Sequence, residues 1–172
     1  YPETEAVVPR WTRAFEQSLS HYGTQHLLVS MMQAIRDQVP YRRRDEFGVQ
    51  PPELTLATGG TCRDFAVLMM EALRCLGFAT RFVSGYLYDQ AADPSGDGQG
   101  HVGGGATHAW LDVYLPGAGW VEFDPTNALY GGADLIRVAT ARDPVAALPL
   151  TGSFTGAATS TMTVEVTVDR LC

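Results

Sequence analysis

The sequence predicts an α+β fold, and two observations carry that expectation. Apolar residues recur at helical spacing in the first part of the chain and alternate with a period of two in the later part. The later segments are joined by short links rich in Gly and Pro, as antiparallel neighbours are. Helices first and strands afterwards argue against a doubly wound parallel sheet, in which the two would interleave. The 172 residues suit a single domain, 1–172, large enough to bury a core.

Residues 9–20 read as a first helix, with Pro9 suited to its first turn. Thr24 opens a second over 24–38, whose Leu28, Met31, Met32 and Ile35, with Val39 just beyond, recur at the spacing of a buried stripe. Residues 41–52 form a polar loop that ends in Pro51-Pro52, and a short helical turn is expected over 53–57. The basic run Arg42-Arg43-Arg44, followed at once by Asp45 and Glu46, reads as solvated.

A third helix is predicted over 62–76, stopped by Gly77. Thr61 and Asp64 fit a capping box at its start. Phe65, Ala66, Met69, Leu73 and Leu76 share one stripe with Cys62, which predicts a buried helix with Cys62 at its exposed tip. Strands are expected over 79–88, 107–115, 120–124, 136–140 and 161–169, with a turn at Pro116-Gly117-Ala118-Gly119. The glycine-rich segment 90–105 is either a flap beside a cleft or a plain solvent loop.

Apolar residues make up 45% and charged residues 18% of the chain, ordinary for a globular protein, and no apolar run is long enough to span a membrane. The net charge of −7 argues against nucleic acid as a partner, which needs a basic footprint. The chain starts at Tyr1 and has no leader pattern, so it is expected to be a trimmed piece of a longer protein. Three widely spaced cysteines, Cys62, Cys75 and Cys172, suggest neither a disulfide framework nor a zinc ribbon. They fit a reducing, cytoplasmic compartment. Cys75 is read as packing and Cys172 as terminal.

Cys62 is the candidate nucleophile. At a helix start, unpaired backbone N–H groups and the positive end of the dipole favour a thiolate over a thiol. The bland alternative is a small apolar residue at the same place.

A thiol nucleophile needs a base. His21 and His26 lie near the junction of the first two helices and read as surface or packing residues; His101 sits in the glycine-rich segment. His108, at the start of a strand, is the best candidate. If Ala109, Leu111, Val113, Val121 and Phe123 face one core, then His108, Trp110, Asp112 and Tyr114 share the opposite face with Trp120, Glu122 and Asp124. Pairing Tyr114 with Trp120 makes His108 and Asp124 diagonal neighbours. Asp112 and Glu122 remain rival carboxylates; Asp124 is favoured by its place at a strand end before Pro125-Thr126-Asn127.

Three motifs in order, Gly-Thr-Cys62-Arg-Asp-Phe, Thr-His108-Ala-Trp-Leu-Asp-Val-Tyr and Gly-Trp-Val-Glu-Phe-Asp124-Pro-Thr-Asn, resemble the transglutaminase-like superfamily, especially its bacterial members described as candidate cysteine proteases. The segment 76–86 and the closing part from Ala141 also resemble that group, so the likeness covers most of 25–170. It implies a papain-like cysteine-protease fold, the nucleophile helix packed on an antiparallel sheet. It also implies a triad in which Cys62 attacks, His108 serves as base and then acid, and Asp124 orients the imidazole. The reaction implied is acyl transfer through a thioester on peptide or protein amides, with no cofactor and no metal. The oxyanion would be held by the Cys62 N–H and by a second donor that the motifs do not identify.

Hydrolysis is the expected outcome, since water is abundant and the sequence shows no amine pocket. Amine transfer (protein crosslinking) uses the same residues, and a non-catalytic binding module on the same fold is the other alternative. Zinc binding by Cys62, His108 and Asp124 is disfavoured, because a lone Cys and widely separated residues make a poor ligand set. Asp89, Asp93 and Asp97 do not have the spacing of an EF-hand calcium loop.

Overall fold

The computed structural model describes residues 7–44, 46–88, 102, 106–148, 152–153, 155–156 and 166–168, without the side chains of 17–19. Four helices, α1 (Val7–Tyr22), α2 (Thr24–Gln38), α3 (Pro52–Thr58) and α4 (Cys62–Cys75), precede the strands. These are β1 (Thr80–Leu87), β2 (Thr107–Leu115), β3 (Gly119–Asp124), β4 (Leu129–Tyr130) and β5 (Leu135–Ala141), followed by a 3-10 turn at Pro144–Ala147. They form one antiparallel sheet in the order β4-β3-β2-β1-β5. The α+β class is as the periodicities predict. The strand predicted over 136–140 is β5, which joins the far edge of β1 rather than the β2–β3 hairpin. The two-residue β4 and the 3-10 turn carry too little periodicity to be read in advance. The strand predicted over 161–169 lies outside the described residues but for 166–168, as do Cys172, His101, the three aspartates at 89, 93 and 97, and all of 90–105 except Val102.

Helix α4 is the centre of the molecule. It packs on β1 and β2, and α1, α2 and α3 pack around it. Phe65, Ala66, Leu68, Met69, Met70 and Leu73 are buried against Leu27, Leu28, Met31, Met32 and Ile35 of α2 and against Phe82, Leu111, Val113 and Phe123 of the sheet. Each large apolar side chain so buried contributes about 1.5–3 kcal/mol, so α4 is a stiff support for whatever stands at its start. It ends in a Schellman motif: Gly77, at φ 85°, donates to the carbonyl of Arg74, and Phe78 to that of Leu73. Cys75 does not pack in the core as expected; it is exposed, because it lies off the apolar stripe at the helix's last turn.

The β2–β3 register is the one the alternation requires, with Tyr114 opposite Trp120, Asp112 opposite Glu122 and Leu111 opposite Phe123. One face of the sheet therefore closes on the helices. The other carries a small cluster of Val83, Leu87, Trp110 and Leu135, with polar residues beside it.

Candidate active site

The start of α4 is built by close backbone approach. Gly59, at φ 88°, lies where a Cβ would fall 2.1 Å from the Pro40 carbonyl oxygen, and a Cβ at Gly60 would fall 2.7 Å from Asp64 Cβ. Glycine at both positions lets two stretches of chain lie side by side: Gly60 N–H donates to Pro40 and Arg42 N–H to Gly60, a parallel bridge centred on Tyr41 and Gly60. Asp64 completes the capping box, its Oδ2 accepting from Thr61 N (2.8 Å) and Thr61 Oγ1 (2.9 Å). Its Oδ1 accepts from Gln50 N (2.9 Å), and Arg44 lies 3.6 Å away. The basic run is thus only partly solvated: Arg42 and Arg43 are exposed, but Arg44 folds in, because the buried Asp64 carboxylate attracts its guanidinium.

Cys62 follows Thr61 as the first residue of α4. It is not an exposed tip: only 9% of it is accessible. Tyr41 reaches it from the segment after α2, and His108 from the start of β2. The helix start is therefore covered by these two side chains rather than left at the surface.

His108 is 1% exposed and sits between Cys62 and Asp124. Its Nε2 donates to Asp124 Oδ2 at 2.8 Å, and its ring stacks on Trp110 at 6.0 Å. Nδ1 meets no partner at strict hydrogen-bond geometry among the described residues. The Cys62 thiol is nonetheless close enough to act on the imidazole, so that contact is loose in the free protein. Burial by itself disfavours the imidazolium; the hydrogen bond to Asp124, the thiol and the charges of both outweigh it and push the pKa up to about 10. Burial alone would raise Asp124, but His108, Asn127 and the Thr126 N–H hold it below the usual carboxylate range. Thr126 N donates to Oδ1 and Asn127 Nδ2 to Oδ2, both at 2.9 Å.

The rival carboxylates are occupied elsewhere. Asp112 Oδ2 accepts from Arg81 Nε at 2.8 Å, and Arg137 stands 3.5 Å from Oδ1. Glu122 accepts from Arg137 at 2.7 Å. His21 and His26 are exposed on α1 and α2, where the Tyr22 and His26 rings meet at a tilt with centroids 4.8 Å apart. Cys62, His108 and Asp124 thus meet, and the other candidates described do not. Two site neighbours were missed from sequence. Asn127, which also exchanges hydrogen bonds with the Val102 backbone, had a local signal in the turn after Asp124. Tyr41 had none, since only the parallel bridge brings it to Cys62. Among the described residues no group of three or more His, Cys, Asp or Glu side chains is arranged to hold a metal ion.

Comparison with known proteins places the chain in a family. The family model of the transglutaminase-like superfamily matches residues 14–125. An uncharacterized protein of Mycobacterium tuberculosis (strain H37Rv) is 38% identical over 121 residues, covering 67% of this chain and 38% of its own length. One of Mycobacterium leprae is 35% identical over 113 residues, covering 65% and 38%. The chain therefore spans well under half of these relatives. Among solved structures, a "Putative Cysteine Protease" from Cytophaga hutchinsonii superposes with a TM-score of 0.59 at 20% identity, over 84% of this chain and 46% of that one. Calcium-bound LapG of Legionella pneumophila gives 0.51 at 17% identity, over 75% and 71%. At these identities the likeness shows the papain-like, transglutaminase-like fold alone. With the family model covering more than half of it, the chain belongs to the transglutaminase-like superfamily.

Proposed function

We propose that this protein is a thiol hydrolase that cleaves peptide or protein amide bonds through a thioester on Cys62. The observation that carries the reading is the buried imidazole of His108, bound through Nε2 to Asp124 and turned through the unpaired Nδ1 toward Cys62. With its pKa raised to about 10, the imidazole already holds a proton on Nδ1 at neutral pH, and the sulfur beside it attacks as a thiolate. The sulfur attacks the carbonyl carbon, the imidazolium gives its proton to the departing amine, and a thioester remains. Once the sulfur is acylated its charge no longer supports the imidazolium. His108 can then accept a proton from water as that water attacks the thioester, and the acid and free thiol are released. Asp124 keeps the ring in the tautomer that presents Nδ1 and stabilises its charged form.

The test is covalent labelling with an amide-derived electrophile, comparing wild type with Cys62→Ala and His108→Ala. The expected result is labelling of wild type alone. Equal labelling of Cys62 and of free cysteine would sink the reading in favour of a binding module. Mass spectrometry of the products from a peptide library with added primary amine then reports the resolving nucleophile: free acid is expected, and amine adducts would instead mean crosslinking.

A further inference from the structure

The thioester chemistry just proposed needs two hydrogen-bond donors for the oxyanion, and only the Cys62 N–H is supplied by the helix start. The segment that follows α2 brings a second group to the same place. The backbone bridge to Gly60 is closed on both sides, by Gly60 N to Pro40 O at 3.1 Å and Arg42 N to Gly60 O at 2.8 Å. That bridge fixes Tyr41 alongside the two residues that precede Cys62, and its ring stands edge-on to Phe65 of α4 at 5.9 Å. The phenol lies close enough to Cys62 for both its backbone N–H and its thiol to act on it. Tyr41 is 43% exposed whereas Cys62 is buried, so the tyrosine lies on the solvent side of the nucleophile.

We propose that the Tyr41 hydroxyl is the second oxyanion donor, acting with the Cys62 N–H; this rests on the acyl-transfer reading above. A substrate carbonyl entering between the Cys62 N–H and the phenol accepts a hydrogen bond from each. When sulfur adds to the carbonyl carbon, the π pair moves onto oxygen, and Tyr41 donates a hydrogen bond to it without giving up its proton. The phenol suits this role: burial and the neighbouring thiol raise its pKa above the ordinary value, against the opposing pull of the Cys62 N–H, Arg43 and Arg63, so it stays a donor at neutral pH.

The test compares two reactions at one sulfur. Acylation by p-nitrophenyl acetate passes through an oxyanion, whereas alkylation by iodoacetamide displaces iodide from a methylene carbon and makes none. In the full chain, Tyr41→Phe should slow thioester formation by roughly 10²–10³-fold, the range for removing one such donor, and leave alkylation within about twofold. Tyr41→Met, which keeps an apolar cover beside Phe65 but offers no donor, must show the same split. Equal rates for wild type and both variants, or equal loss in both reactions in both variants, would overturn the assignment. A wild type whose Cys62 is alkylated faster than free cysteine yet forms no thioester would overturn the acyl-transfer reading itself, and Tyr41's role with it.

Discussion

Two buried aspartates on one face of the same sheet have opposite fates. Asp112 lies mid-strand on β2, and Asp124 closes β3; both are fully buried. Asp112 is gripped by Arg81, itself laid over Trp120 at 4.3 Å, and by Arg137. Asp124 is gripped by His108 and Asn127. A guanidinium never gives up its proton near neutral pH, so the first cluster can only hold strands together. An imidazole can pass a proton to a neighbour, so the second is able to move one. The partner, not the carboxylate, decides which cluster has that capacity.

Exchanging the carboxylates for amides breaks the comparison most sharply. Asp124→Asn should lower acylation of Cys62 by on the order of 10²-fold or more, because the imidazole loses its orienting charge. Asp112→Asn should leave the acylation rate of folded protein unchanged and cost stability instead, by about 1–3 kcal/mol, as the arginines lose a charged partner. Stopped-flow acylation and urea unfolding of both variants check this; a rate loss in Asp112→Asn would erase the distinction.

The His108–Asp124 pair should also make stability depend on pH. His108 has its pKa raised from 6.5 to about 10, so its contribution is full below about 6.5 and is lost as pH rises toward 10. Asp124 is depressed, so its contribution is present above its ordinary value of 3.8 and is lost as pH falls through the lower folded value. The thermal midpoint of wild type should therefore decline between about pH 6.5 and 10, and in His108→Gln much of that decline should vanish. Thermal unfolding across this range measures it, and an identical slope in both proteins would contradict the paired state of His108.

A smaller effect separates the carboxylate from its support. Asn127→Ala removes one of three hydrogen bonds to Asp124 and both contacts to Val102. Acylation should fall by roughly tenfold, the low end for a residue that orients a functional side chain, with the pH profile moved only slightly. A loss as large as that of Asp124→Asn would mean that Asn127 itself acts in the chemistry.

Much of this was legible in the chain before any fold. The break at Gly59-Gly60 and the Thr61–Asp64 pair mark a helix start with Cys62 on it, because capping depends on neighbours three residues apart. The hairpin register follows from alternation, so the shared face of His108 and Asp124 follows too. Alternation also put Asp112 and Glu122 on that face and had no means of choosing among the three. That choice was made by Arg81 of β1 and Arg137 of β5, which reach those carboxylates only once the strands pair.

The sequence by itself determined the helix that opens on Cys62, the face shared by His108 and Asp124, and the class of fold, because each depends on contacts close along the chain. Only the tertiary structure decided that Cys62 is buried, that Arg44 folds onto Asp64, that Arg81 and Arg137 claim Asp112, and that Tyr41 comes to lie beside Cys62. Each of these joins segments far apart in the chain, and no local periodicity encodes which distant side chain will win a buried charge.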